Sequence, residues 1–214
     1  MNRSIAPSLP RTARASAAAA DTLQHQGSWR PAVMLGLASL LLLGLAYALA
    51  ATGASRLLFP AQADGSLLIR DGQVRGSMLI AQPFNGDGYF QARPSAAGFD
   101  PMAAAGSNLA RSNPALQERV QAGIAAVAAR EGVPVSQVPS DLVTQSGSGM
   151  DPALSPAAAQ VQVARVARSR GLPPARVDAL VQAHTQGPQW GVFGQPRVNV
   201  VTLNLALDDL QRAP

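Results

Sequence analysis

Hydrophobic positions are distributed very unevenly along this 214-residue chain. From Ala32 to Ala51 the run AVMLGLASLLLLGLAYALAA holds no charged residue, and as a helix its 20 residues match the ~30 Å hydrocarbon core of a bilayer. This predicts one transmembrane helix, with Arg30-Pro31 at its entrance and Gly53-Ala54-Ser55-Arg56 at its exit. Gly36 and Gly44 interrupt the run, as is tolerated in membrane helices. A cleaved signal peptide is the competing reading, since Ala48-Leu49-Ala50 has the A-x-A form. The run exceeds the 7 to 15 apolar residues, roughly, of a signal h-region, so an uncleaved anchor is expected.

Beyond the span the pattern changes repeatedly. In SLLIRDGQVRGSMLIAQPF, from Ser66, two apolar runs flank Asp71-Gly72, a pair suited to a tight hairpin turn, which predicts two antiparallel strands. Asn85 to Asn113 is rich in Gly, Pro, Asn and Ser, with brief apolar relief at Tyr89-Phe90, and reads as a surface loop. Asn113-Pro114 opens a helix whose Leu116, Val120, Ile124 and Val127 share one face until Arg130 and Gly132. A second helix is predicted from Ser155-Pro156 to Arg165, Arg168 and Arg170 before Gly171, and a third from about Pro174 to His184. Arg197 to Asp208 alternates well enough to predict a strand.

Segregated strands and helices imply an α+β fold: a single N-terminal transmembrane helix followed by a small extracytoplasmic α+β domain with helices on one face of a sheet. The expected divisions are a disordered basic tail over residues 1–29, the transmembrane helix over 30–55 and the domain over 56–214.

Charge refines this picture. The net charge is +5, but the first 30 residues carry four arginines against Asp21, so +3 belongs to the tail. With no basic patch interleaved with aromatics, a nucleic-acid partner is not expected. Arg11, Arg14 and Arg30 precede the span while Arg56 and Arg70 follow it, which favours a cytoplasmic N-terminus and an extracytoplasmic domain. A basic tail there would be attracted to anionic lipid.

All 17 basic residues are arginine, which excludes a Walker A lysine, a Schiff-base lysine and a Ser-Lys pair. No cysteine is present, so disulfides, thiolate chemistry and cysteine-based zinc sites are excluded too.

Candidate chemistry is sparse. His25 lies in the tail, and His184 ends an apolar helix face, where packing or a dipole contact is the expected role. A membrane-anchored extracytoplasmic enzyme using Asp141 or Asp151 with His184, or an anchored binding protein, is the alternative function. Gly147-Ser148-Gly149 lacks the glycine a nucleophile elbow needs, because Ser146 occupies that position.

The loop VTQSGSGMDPALSP, Val143 to Pro156, contains the one candidate binding set: Ser146, Gly147, Ser148 and Gly149, a nucleotide or partner loop. Phosphate loops aim glycine-rich backbone N–H groups at a ligand from the first turn of a helix. Here Gly149 lies six residues ahead of Ser155, Pro152 and Pro156 offer no N–H, and Asp151 adds negative charge, so a structural turn or a partner-contact loop is favoured over a nucleotide loop.

Several segments in this order behind one span carry a resemblance: Arg30-Pro31-Ala32, GSLL at Gly65, RGSMLIAQPF at Arg75, GYFQARPSA at Gly88, GSNLARSNPAL at Gly106, DLVTQSGSGMDPALSPAAAQ at Asp141, RVARSRGL at Arg165 and FGQPRVNVVTLNLALD at Phe193. Over about residues 30 to 210 the chain resembles the KdpC family, the C subunits of the Kdp potassium-transporting ATPase. It departs from the family pattern at Tyr47, Ala81 and Ala153 and in its longer tail.

The resemblance implies a non-catalytic accessory subunit in the bacterial inner membrane. Its implied partners are a channel-like subunit, a P-type ATPase subunit and a small single-helix subunit, with potassium as the transported ion. It also implies a chaperone role that raises ATP affinity, with ATP contacted at Ser146, Gly147, Ser148 and Gly149. A cytoplasmic N-terminus would place that loop across the membrane from cellular ATP, which favours assembly and stabilisation as the role.

Overall fold

The computed structural model describes residues 29–212, so the expected tail, including His25, lies outside the described residues. The described residues fall into two compact units, divided after Pro60.

The described part of the first unit is dominated by helix α1, Trp29–Leu58. Its most apolar stretch has a mean hydropathy of 2.3, and no residue of the helix is buried. Thirty residues give about 45 Å of helix, more than the ~30 Å hydrocarbon core. Between Leu40 and Ala46 the hydrogen bonding widens by one residue into a π-helical stretch that includes Gly44.

The second unit begins with the hairpin β1 (Leu67–Arg70) and β2 (Gln73–Ser77), antiparallel as predicted and bulged between Leu68 and Ile69. Asp71 and Gly72 take φ values of 53° and 71°, the left-handed pair that a two-residue hairpin turn demands. The segment expected as a surface loop, 85–113, differs in one respect: Phe90 is fully buried and belongs to the core.

Helix α2 (Pro114–Glu131) starts where Asn113 accepts a hydrogen bond from Ala115 N at 3.0 Å and ends at Gly132, whose φ of 70° closes the last turn. Val127 is buried, and Val120 and Ile124 pack against the core beside it.

The second predicted helix is two helices, α3 (Pro156–Gln160) and α4 (Val163–Arg170). The cause is Gln162. Its side-chain Nε2 donates to Ala158 O at 3.1 Å, the carbonyl its own amide would use in a continuous helix, while that amide turns to Ala159 O at 3.0 Å. Helix α5 (Pro174–Ala183) follows, as predicted.

The predicted strand from Arg197 to Asp208 is corrected. Only Arg197–Asn199 is a strand (β5), and Val200–Arg212 is helix α6. Val200, Leu203, Asn204 and Leu207 are fully buried at i, i+3, i+4 and i+7, a helical set hidden within an apparently alternating run. Asn199 Oδ1 fixes the switch by accepting from Val201 N at 3.0 Å and Thr202 N at 3.2 Å.

Strand β5 is the centre of a three-stranded antiparallel sheet, flanked by β3 (Ala153–Leu154) and β4 (Thr185–Gln186). Leu154, Val198, Val200, Leu203 and Leu207 join Phe90, Val166 and Val177 in one core. The fold is thus mixed α and β behind one apolar N-terminal helix, the class expected.

Candidate functional site

Burial concentrates the polar side chains of this lobe around one strip of backbone, Asp87 to Gln91. That strip has no strand partner, so its buried N–H and C=O groups require side chains instead. Asn204, fully buried on α6, donates from Nδ2 to Phe90 O and accepts from Phe90 N, both at 2.9 Å, imitating a neighbouring strand. Gln162 does the same for Gln91, accepting from its N–H at 2.8 Å and donating to its carbonyl at 3.1 Å.

Arg165 completes the arrangement. Its Nη1 donates to Asp87 O at 2.6 Å and Tyr89 O at 2.9 Å, its Nη2 to Gln162 Oε1 at 2.8 Å and its Nε to Glu131 Oε2 at 2.9 Å. Glu131, whose side chain is fully buried, also accepts from Arg130 at 2.7 Å. One carboxylate therefore lies between two guanidinium groups, and the burial of its charge is compensated by paired donors. At the edge, Arg170 donates to Gly88 O, pairs with Asp208 at 2.8 Å and covers the Tyr89 ring at 4.5 Å.

The candidate binding set lies in a second braced loop. Ser146 is buried, its N–H donates to Pro94 O at 3.2 Å, and its buried hydroxyl makes no hydrogen bond. Ser148 Oγ accepts from Met150 N at 3.1 Å and Gly149 N donates to Ser146 O at 3.3 Å. Three of the groups that would face an anion are spent on the loop itself or on its neighbour. Asp151 pairs with Arg93 at 3.2 Å, and Arg93 reaches Gln145 O as well. Gly147 and Ser148 are exposed, whereas Gly149 and Met150 are buried, with Met150 O accepting from Ala81 N at 2.9 Å.

Two glycines in this loop make opposite predictions. Gly149 has φ +71°, and a Cβ there would lie 2.8 Å from Ala105 O and 3.1 Å from Ser95 Oγ. A Cβ on Gly147 would meet nothing within 4 Å. Gly149→Ala is expected to lower stability by about 2 kcal/mol or more through backbone strain and clash, and Gly147→Ala to change it by no more than about 0.5 kcal/mol. Thermal unfolding of the full chain in detergent checks both.

The residues of the alternative catalytic reading have separate duties. Asp141 Oδ2 accepts from Ser155 N at 2.8 Å, Asp151 holds Arg93, and His184 Nδ1 lies 3.0 Å from Leu180 O at the end of α5. Among the described residues no group of three or more metal-ligating side chains occurs.

Sequence reasoning missed Glu131, Gln162 and Asn204, and read Arg165 only as a cation at a helix end. Asn204 offered a signal, a polar residue at i+4 from Val200 within an apolar run.

The class defined by these features is a small α+β lobe following one candidate membrane-spanning helix, its buried polar groups committed to shaping backbone. The family described as KdpC, K+-transporting ATPase, c chain, matches residues 29–209. A potassium-transporting ATPase KdpC subunit from Xanthomonas campestris pv. campestris (strain B100) is 58% identical over 186 residues, covering 87% of this chain and 89% of that protein. Proteins of the same name from Variovorax paradoxus (strain S110) and Shewanella putrefaciens (strain CN-32 / ATCC BAA-453) are 53% and 52% identical over 182 and 176 residues. These cover 84% and 82% of this chain, and 94% and 88% of the respective relatives. The chain belongs to the KdpC family, and the match takes in α1 and the lobe as far as residue 209, within α6.

Proposed function

We propose that this chain, an accessory subunit of the K+-transporting ATPase, holds the channel-like and P-type ATPase subunits together from outside the cytoplasm, alongside the small single-helix subunit. Potassium is the ion the complex transports. In this reading the basic tail to residue 29 is cytoplasmic, residues 30–55 cross the lipid bilayer of the inner membrane, and the lobe from residue 56 is periplasmic.

The observation that carries it is the family match across residues 29–209, an anchor and a lobe together. Ser146, Gly147, Ser148 and Gly149 are assigned to a shaped loop that meets a protein partner. Its inward hydroxyl, internally bonded amide and neighbouring Asp151 are a poor cradle for a polyphosphate. Any effect on ATP affinity then passes through the conformations of the pump subunit. No observation favours the anchored-enzyme alternative, because Asp141, Asp151 and His184 are each engaged by a different partner.

Purification from native membranes provides the test. The tagged full chain is expected to bring down the larger ATPase subunits and, by itself, to hydrolyse no ATP. Recovery solely as a free monomer, or hydrolysis by the purified chain that His184→Ala abolishes, would overturn the assignment.

A further inference from the structure

Strands β4 and β5 are joined by an arm, residues 187–196, whose tip exposes three large apolar residues within four positions. Trp190, Val192 and Phe193 are 83%, 75% and 62% exposed. The tip is nevertheless ordered by its own backbone: Gln189 and Phe193 exchange hydrogen bonds at 2.8 and 2.9 Å, and Gly191 N donates to Pro188 O at 3.0 Å. Trp190 takes φ 53°, a conformation unfavourable for a bulky residue, and its ring meets Phe193 edge-on at 6.0 Å. The fold thus tolerates backbone strain to present two rings to solvent, an outlier of the kind that marks a functional site.

Charge narrows the occupant. From Thr185 to Leu207 there is no carboxylate, and the single charge is Arg197, exposed at the base of the arm. That base shares a cleft of about 330 Å³ with Ser66, Met78, Leu79 and Asp151, whose carboxylate is already paired with Arg93 at 3.2 Å. One arginine is too little to hold a protein on an anionic lipid surface, where several basic residues are usual. A rigid aromatic pair with a single cation beside it suits a structured apolar socket with an acidic rim, since pre-ordered Trp and its neighbours lose little freedom on docking.

We propose that the Trp190–Phe193 tip is the anchor by which the lobe docks into an apolar, acid-rimmed socket on another subunit of the ATPase, with Arg197 meeting the rim. This rests on the subunit assignment above.

Trp190→Ala combined with Phe193→Ala, in the full chain in nanodiscs, is expected to weaken binding to the remaining ATPase subunits by at least about tenfold, while its melting temperature stays that of the unmodified chain. Because the chain has no cysteine, an environment-sensitive dye can be placed uniquely at the exposed Gln195→Cys. Its emission is expected to shift to the blue when those subunits are added. Unchanged affinity of the double variant, or a dye that stays wet in the complex, overturns the inference while leaving the subunit assignment intact. A dye already shielded in the nanodisc alone points to lipid, and shielding that rises with the chain's own concentration points to a second copy; either overturns it. If the unmodified chain binds none of those subunits, the subunit assignment itself fails and the inference with it.

Discussion

Arg165→Ala is expected to destabilise the lobe by about 3–5 kcal/mol, the range for removing one member of a buried ion pair. The reason is what the substitution leaves behind. The fully buried Glu131 carboxylate keeps only Arg130, while Asp87 O, Tyr89 O and Gln162 Oε1 lose a charged donor. For a lobe of this size the melting temperature should fall by roughly 6–20 °C. Arg165→Lys recovers little, because one ammonium cannot reach acceptors that a planar fork serves from three nitrogens. Arg168, exposed on the same helix, supplies the control, and its alanine variant should lie within about 0.5 kcal/mol of the parent. Equal melting temperatures for the two alanine variants would contradict a structural role for the network.

Asn204→Ala is expected to cost about 2–5 kcal/mol. It strands both backbone groups of Phe90 in the core and removes side-chain volume. Asn204→Leu separates the two effects. Leucine restores apolar volume but pairs with neither group, so most of the loss, about 2 kcal/mol or more, should persist. Asn204→Asp keeps the acceptor for Phe90 N and sets a carboxylate against Phe90 O, so it should be at least as damaging as alanine. Urea unfolding of the full chain in detergent measures all three, and full recovery by leucine would show that Asn204 fills space rather than replacing a strand.

Features specified by adjacent residues were legible in the sequence. The apolar run of α1, the Asp71-Gly72 turn and the Asn113 and Ser155 caps each depend on chemistry within a few positions, and each is where it was predicted. What was illegible depends on partners far along the chain. Gln162 divides a predicted helix because its side chain is committed to Gln91, 71 residues away. Arg165 resembles a solvated cation at a helix end until Glu131 and the strip from Asp87 to Tyr89 close over it. The C-terminal run misleads for another reason: apolar residues are so frequent there that a strand period and a helix period both fit, and Asn199 selects the helix. The loop from Val143 to Pro156 was readable as a turn before a helix, but its bracing against Pro94 was not.

The polar residues that set the shape of the lobe are therefore buried and spent on its backbone. They hold an extended strip and a glycine-rich loop in place, while the Gly147-Ser148 turn and the aromatic tip are exposed.

The placement of the lobe outside the cytoplasm is tested most directly by a membrane-impermeant maleimide at Ser148→Cys, a unique thiol at an exposed position of a cysteine-free chain. Labelling in intact spheroplasts, at the level reached after lysis, is the expected result. Labelling that appears only once the membrane is broken would place the lobe among the cell's nucleotides and contradict the topology proposed for this subunit.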